Sequence, residues 1–143
     1  MFIKKYILAL ALTLPLELVY ALDVEVIANG SLTKENRIFL ERNVASVFTL
    51  RSRTWRTGEP LQVYLLPKDS LYTKVFAKKY LQMTPQSYFD MLEFNQASGR
   101  GSVPIIVDSE SDLVLKVLNT SGSVGYADEN ILFNLGNRIY IVH

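Results

Sequence analysis

Leu61 to Leu66 (LQVYLL) constrains this chain of 143 residues more than any other segment. The run is apolar almost throughout and is bounded by Pro60 and Pro67. Such a run predicts a strand buried on both faces rather than one with a wet side. Strands of that kind belong to sheets covered by helices, so an α/β fold is expected.

The rest of the chain fits that frame. Asp23 to Ala28 (DVEVIA) alternates polar and apolar residues and ends in Asn29-Gly30, which predicts a strand and a turn. From Thr33, a capping residue, Ile38, Phe39, Ala45, Val47 and Phe48 recur at helical spacings between charged residues. Past the apolar run, Asp69 or Ser70 caps a second helix with Val75, Phe76, Tyr80 and Leu81 on its inner side. Thr84-Pro85 starts a third, carrying Tyr88, Phe89, Met91, Leu92 and Phe94. Ser98 to Ser102 reads as a flexible loop, and Val103 to Val107 as a strand that Pro104 assigns to an edge. Ser109 opens a fourth helix running through Leu118, followed by a short extended piece at Val124 to Tyr126 and a last strand at Arg138 to Val142. The order β-α-β-α-α-β-α-β-β predicts a two- or three-layer α/β domain, a mixed sheet flanked by helices.

The amino-terminal residues read as an export signal. Lys4 and Lys5 precede the uncharged stretch Tyr6 to Leu16, and Val19-Tyr20-Ala21 offers the modest side chains a signal peptidase accepts. Cleavage after Ala21 and a periplasmic location are expected. The rival reading is a membrane anchor, but a spanning helix takes about 20 apolar residues, and Pro15 and Glu17 interrupt this run. No stable membrane insertion is therefore expected once the signal (residues 1–21) is gone. Residues 22–143 would form one domain, within the usual range of about 50–250 residues. With 49% hydrophobic residues the chain can bury a core without cross-links, which fits its lack of cysteine and leaves no lipid-attachment cysteine either.

Composition also excludes functions. Without the signal, acids and bases balance, so no nucleic-acid partner is expected. The local excess at Arg51, Arg53 and Arg56 reads as a solvated loop whose arginine stems cover Trp55, against an anion- or partner-facing patch. The single histidine is His143, the last residue, and there is no cysteine, so a Cys/His nucleophile, a redox pair and a thiolate metal site all lack their residues. Asp108, Glu110 and Asp112 alternate like the start of a calcium loop, but Leu113 and Asn119 occupy the places of its glycine and bidentate acid. Gly99-x-Gly101 runs into Pro104 instead of a third glycine, so it is no dinucleotide fingerprint. No enzyme, cofactor or metal is expected.

What remains are hydroxyl, glycine and arginine residues at predicted helix starts: Ser70 and Thr73; Arg100, Gly101 and Ser102; and Gly122 and Ser123. A helix start leaves its first backbone N–H groups unpaired, and with a hydroxyl or arginine these can hold phosphate or sulfate. The plain alternative is that these residues cap their own helices and bind nothing.

Several of these segments together resemble the phosphate-binding subunits of bacterial ABC transporters, in particular short, single-lobe periplasmic proteins similar to them. The resemblance is carried by Val47-Phe48 with Arg53-Thr54-Trp55-Arg56-Thr57-Gly58 and Pro60, by Leu61 to Leu66 running into Asp69-Ser70 and Phe76, and by Gly122-Ser123-Val124-Gly125-Tyr126. It implies a single three-layer lobe of the periplasmic-binding-protein type. In the larger family an Asp-Gly-Ser-Gly-Thr turn binds the oxyanion at a helix start. Ser70 matches its serine, Leu71 and Tyr72 stand at the glycine and threonine places, and Leu66 stands where an arginine precedes it. The resemblance therefore implies a small phosphate-like anion as ligand on a face carrying Ser70, Arg100 and Ser123. The alternative is a ligand-free interaction module serving an envelope or signalling partner, because Leu66, Leu71 and Tyr72 would add apolar surface. A hydrolase ranks far behind both.

Overall fold

The computed structural model describes residues 22–99 and 103–143; the expected export signal at 1–21 lies outside them. The apolar run forms β2 (Gln62–Leu65), with Val63, Tyr64, Leu65 and the following Leu66 all buried, as a strand covered on both sides must be. It belongs to a five-stranded sheet ordered β3-β2-β4-β1-β5, in which β1 is Val24–Asn29, β3 Ile105–Ile106, β4 Ser123–Asp128 and β5 Ile139–Ile141. β2 runs parallel to β3 and to β4, whereas β1 is antiparallel to both of its neighbours, β4 and β5. Hence β2, β3, β4 and β5 all point one way, and β1 alone runs against them. The sheet is mixed, as expected.

The helices are α1 (Lys34–Arg42), α2 (Val44–Phe48), α3 (Leu71–Phe76), α4 (Pro85–Ala97) and α5 (Glu110–Asn119). Four of the predicted caps are in place: the side chains of Thr33, Ser70, Thr84 and Ser109 each accept a hydrogen bond from a first-turn N–H. Consecutive residues of β4 show how the layers stack, because strand side chains alternate between faces. Gly125 lies under α5, where an added Cβ would come within 2.6 Å of Leu113 Cδ2 and 3.2 Å of Val117 Cγ2. On the opposite face, the Tyr126 ring stacks on Phe76 of α3 with centroids 4.2 Å apart, and Phe48 of α2 joins the cluster. The result is three layers, with α5 on one side of the sheet and the α2–α3 cluster on the other.

Three details depart from the sequence reading. The helix expected from Thr33 through Phe48 is two helices, broken at Asn43, where the backbone leaves helical angles and its side chain donates to Phe39 O at 2.9 Å. The inner position assigned to Ile38 is 41% exposed. Beyond Phe76 the second predicted helix widens into a π turn, Ala77–Leu81, and stops at Gln82 in the left-handed region with φ 53°. Within that turn Lys79 reaches Asp23 at 2.6 Å and Glu25 at 3.5 Å, tying it to β1. In the Arg51–Arg56 loop, Trp55 is 1% exposed, donates to Gly122 O at 2.9 Å, and packs edge-on to Phe39, and it is Phe39 over which Arg56 lies.

Candidate anion-binding site

Parallel strands bring their carboxyl ends to one rim of a sheet, and in open α/β folds ligands bind outside that rim. Here the rim carries Pro67 to Ser70 after β2, Asp108 and Ser109 after β3, and Asp128 at the end of β4. Ser70 caps α3 by accepting from Tyr72 N at 3.2 Å, and its carbonyl receives Lys74 N at 3.1 Å. Around it lies a hollow of about 370 Å³, lined by Lys68, Asp69, Ser70, Lys74 and Gln86 among others. Lys68 is held by Gln86, donating to Oε1 at 2.9 Å. Among the described residues the ion pairs belong to Lys79, so neither Lys68 nor Lys74 is neutralised by direct contact with an acid. Two cations and a helix start against one carboxylate, Asp69, make the hollow net positive.

Its back wall is fixed by a buried relay. Leu66 N donates to the Tyr126 hydroxyl at 3.0 Å, so that hydroxyl donates onward to Thr73 Oγ1 at 2.7 Å, and Thr73 donates to Pro67 O at 2.9 Å. Burial pushes the Tyr126 phenol up to about 12, which keeps it protonated as the relay requires. The relay pins the end of β2 to the first turn of α3 and so sets the aim of Ser70.

The other side of α3 is acidic. Glu110 Oε2 accepts from Asp128 N at 2.8 Å, and Glu110 and Asp128 both face Tyr72. The Glu110 charge, with burial and Asp128, raises the Tyr72 phenol, and burial raises the Glu110 carboxyl itself. Further along the rim Asp23, Glu25 and Glu129 approach one another, but Lys79 binds the first two and Tyr80 donates to Glu25 at 3.0 Å. The charges of Asp23 and Glu25 are thus met from within the protein, while Glu129 is exposed.

The predicted ligand residues do not gather on one face. Ser70 lies at the rim, capping α3. Thr73 is fully buried, and its hydroxyl is consumed by the relay. Gly122 and Ser123 do not start a helix: they lie between α5 and β4, and Ser123 is the first residue of that strand. Ser123 is fully buried, with its hydroxyl against Thr120 O at 2.6 Å and Val117 O at 3.2 Å. Because Ser123 pairs with Gln62 at the opposite end of β2, it stands at the far rim from Ser70. Arg100, Gly101 and Ser102 lie outside the described residues. Leu66, expected to add apolar surface, is 2% exposed, whereas Leu71 is 42% exposed. Sequence reasoning missed Lys68, Lys74 and Gln86. The usable signal was a lysine two residues before and another four after the cap, spacings that return to the cap once Ser70 starts a helix.

No family model and no curated protein matches this sequence. Solved structures match its fold. PstS from Borrelia burgdorferi matches with a TM-score of 0.60 at 17% identity, over 83% of this chain and 46% of that one. An ABC-type phosphate transport receptor from Vibrio cholerae matches with a TM-score of 0.50 at 11% identity, over 84% of this chain and 45% of that one. The chain thus spans less than half the length of either protein. At such identities the likeness is one of architecture, and at that level the resemblance read from the sequence holds: this is a mixed, helix-flanked α/β domain of the kind found in phosphate ABC transporter substrate-binding proteins.

Proposed function

We propose that this chain is an exported, non-enzymatic recognition domain, residues 22–143 after signal removal, that holds a small phosphate-like oxyanion at the start of α3. One observation carries the reading: Lys68 and Lys74 flank the Ser70 cap in a hollow at the carboxyl rim of the parallel strands. The fold likeness supports it, since the matched Vibrio cholerae protein is a phosphate transport receptor by name. The arginine expected of that family is replaced by buried Leu66, so charge is supplied by two flexible lysines instead. Lysine binds phosphate as a point charge rather than through a bidentate fork, which favours modest affinity and little geometric selectivity.

Calorimetric titration with phosphate and with sulfate tests this. Both anions should release heat and raise the melting temperature, and the double variant Lys68→Gln/Lys74→Gln should weaken binding by roughly tenfold or more. If neither anion gives heat or a melting shift, the oxyanion reading is lost. The interaction-module reading would then take its place, favoured by Leu71, which is 42% exposed beside the hollow.

A further inference from the structure

β3 stands at one edge of the sheet, and among the described residues no strand pairs with its outer side. Val107 N–H donates to Leu65 O at 2.8 Å. Backbone groups alternate along a strand, so Ile106 turns its N–H and C=O outward. Edge strands are normally blunted by shortness, proline, charge, bulges or cover, and β3 has the first two, being short and preceded by Pro104, yet its side chains stand open. Here Ile105 is 43% exposed, Ile106 53% and Val103 69%, and only Pro104 interrupts the segment.

A recess adjoins this edge. α5 packs over β4, β1 and β2, and β3 extends beyond it. The step is a hollow of about 720 Å³, lined by Tyr64, Ile105, Leu115 and Lys116 together with Asp108 and Asp112. It is larger than the hollow at Ser70, about 370 Å³. Leu115 is 55% exposed, and the wall is firm because Tyr64 OH meets Thr120 Oγ1 at 2.9 Å. Charge is ordered along it: Asp108 and Asp112 stand where β3 ends, and Lys116 lies one helical turn farther down α5.

We propose that β3 accepts an extended polypeptide segment as a sixth, antiparallel strand. Its recognition sequence is aliphatic at alternate positions, with a basic residue before that pair and an acidic residue after it. In the antiparallel direction the outward N–H and C=O of Ile106 form the closely spaced bond pair with a single partner residue. The residues flanking the one opposite Ile106 then face the recess, where Ile105 and Leu115 supply apolar contact. In this direction the amino-terminal end of the incoming strand meets Asp108 and Asp112, and its carboxyl-terminal end lies toward Lys116. This surface is separate from the Ser70 hollow, so the two readings fail independently.

Fluorescence anisotropy with the labelled peptide Lys-Thr-Ile-Thr-Ile-Thr-Glu tests the assignment. The intact protein should bind it, and the charge-reversed peptide Glu-Thr-Ile-Thr-Ile-Thr-Lys should bind roughly fivefold more weakly. Ile106→Pro removes only an outward donor, so the sheet should survive with a near-normal melting temperature while binding is lost. Leu115→Ser, an exposed site, should weaken binding and leave folding intact. The proposal is overturned if neither peptide binds at millimolar concentration, if both bind alike, or if a folded Ile106→Pro protein binds as the parent does. It is equally overturned if sedimentation shows the parent to be a dimer whose β3 edge is closed to the peptide.

Discussion

Tyr126 joins packing to the candidate site. Its ring stacks on Phe76, and its hydroxyl is the middle member of the Leu66–Tyr126–Thr73 relay. Replacing it with Phe keeps the stack but strands the buried Leu66 N–H. An unmet buried donor costs about 1–3 kcal/mol, so Tyr126→Phe should lower the urea midpoint by that equivalent with an unchanged slope; a variant as stable as the parent would show that the relay carries no energy. Legibility at this scale was uneven. The caps Thr33, Ser70, Thr84 and Ser109 were readable because a capping side chain bonds only to its own first turn. The roles of Lys68, Lys74 and Thr73 were not, because a long side chain's destination, or a hydroxyl's burial, depends on strands distant in sequence.

At the scale of elements, hydrophobic period and breakers carried most of the fold. The apolar run became a doubly covered strand, and Pro104 did mark an edge. The misreading at Ser121-Gly122-Ser123 has a physical cause, since small hydroxyl residues and glycine occur at both ends of helices. A glycine with positive φ belongs after a helix, and Gly122 has φ 75°. It also lies against Pro60 O, which an added Cβ would approach to 2.6 Å. Gly122→Ala therefore combines backbone strain with a main-chain clash and should cost about 2–4 kcal/mol in chemical denaturation. Gly58 is the control: φ is 86° but nothing lies within 4 Å of an added Cβ. Gly58→Ala should cost about 1 kcal/mol, and equal losses at the two sites would refute the clash.

Over the whole molecule, charge is sorted along one rim of the sheet, with lysines beside Ser70 and carboxylates beyond Tyr72. Burial raises the Glu110 carboxyl above the ordinary carboxylate range, and the Asp128 N–H offsets this only in part. A raised acid binds more protons folded than unfolded. Its contribution is therefore fully present below the unfolded value and is lost as pH rises through the folded one. Glu110→Gln removes that loss and retains an acceptor for Asp128 N–H. Calorimetric scans should show little difference from the parent near about pH 4 and a higher melting temperature for the variant near about pH 7; an offset that is the same at both would sink the assignment. The topology constrains assembly as well. Val24 pairs with Asp128 and Asn29 with Ile139, so the earliest described strand is wedged between the two latest. Synthesis and assembly thus run in opposite senses: β1 is made before the other described strands yet has no bonding partner until β4 and β5 have followed. Such distant pairing slows folding and prolongs the time for which apolar strands stand unprotected. A chain that must stay unfolded while it is moved can use that delay, and a chain cut short before β4 has no site for β1 at all.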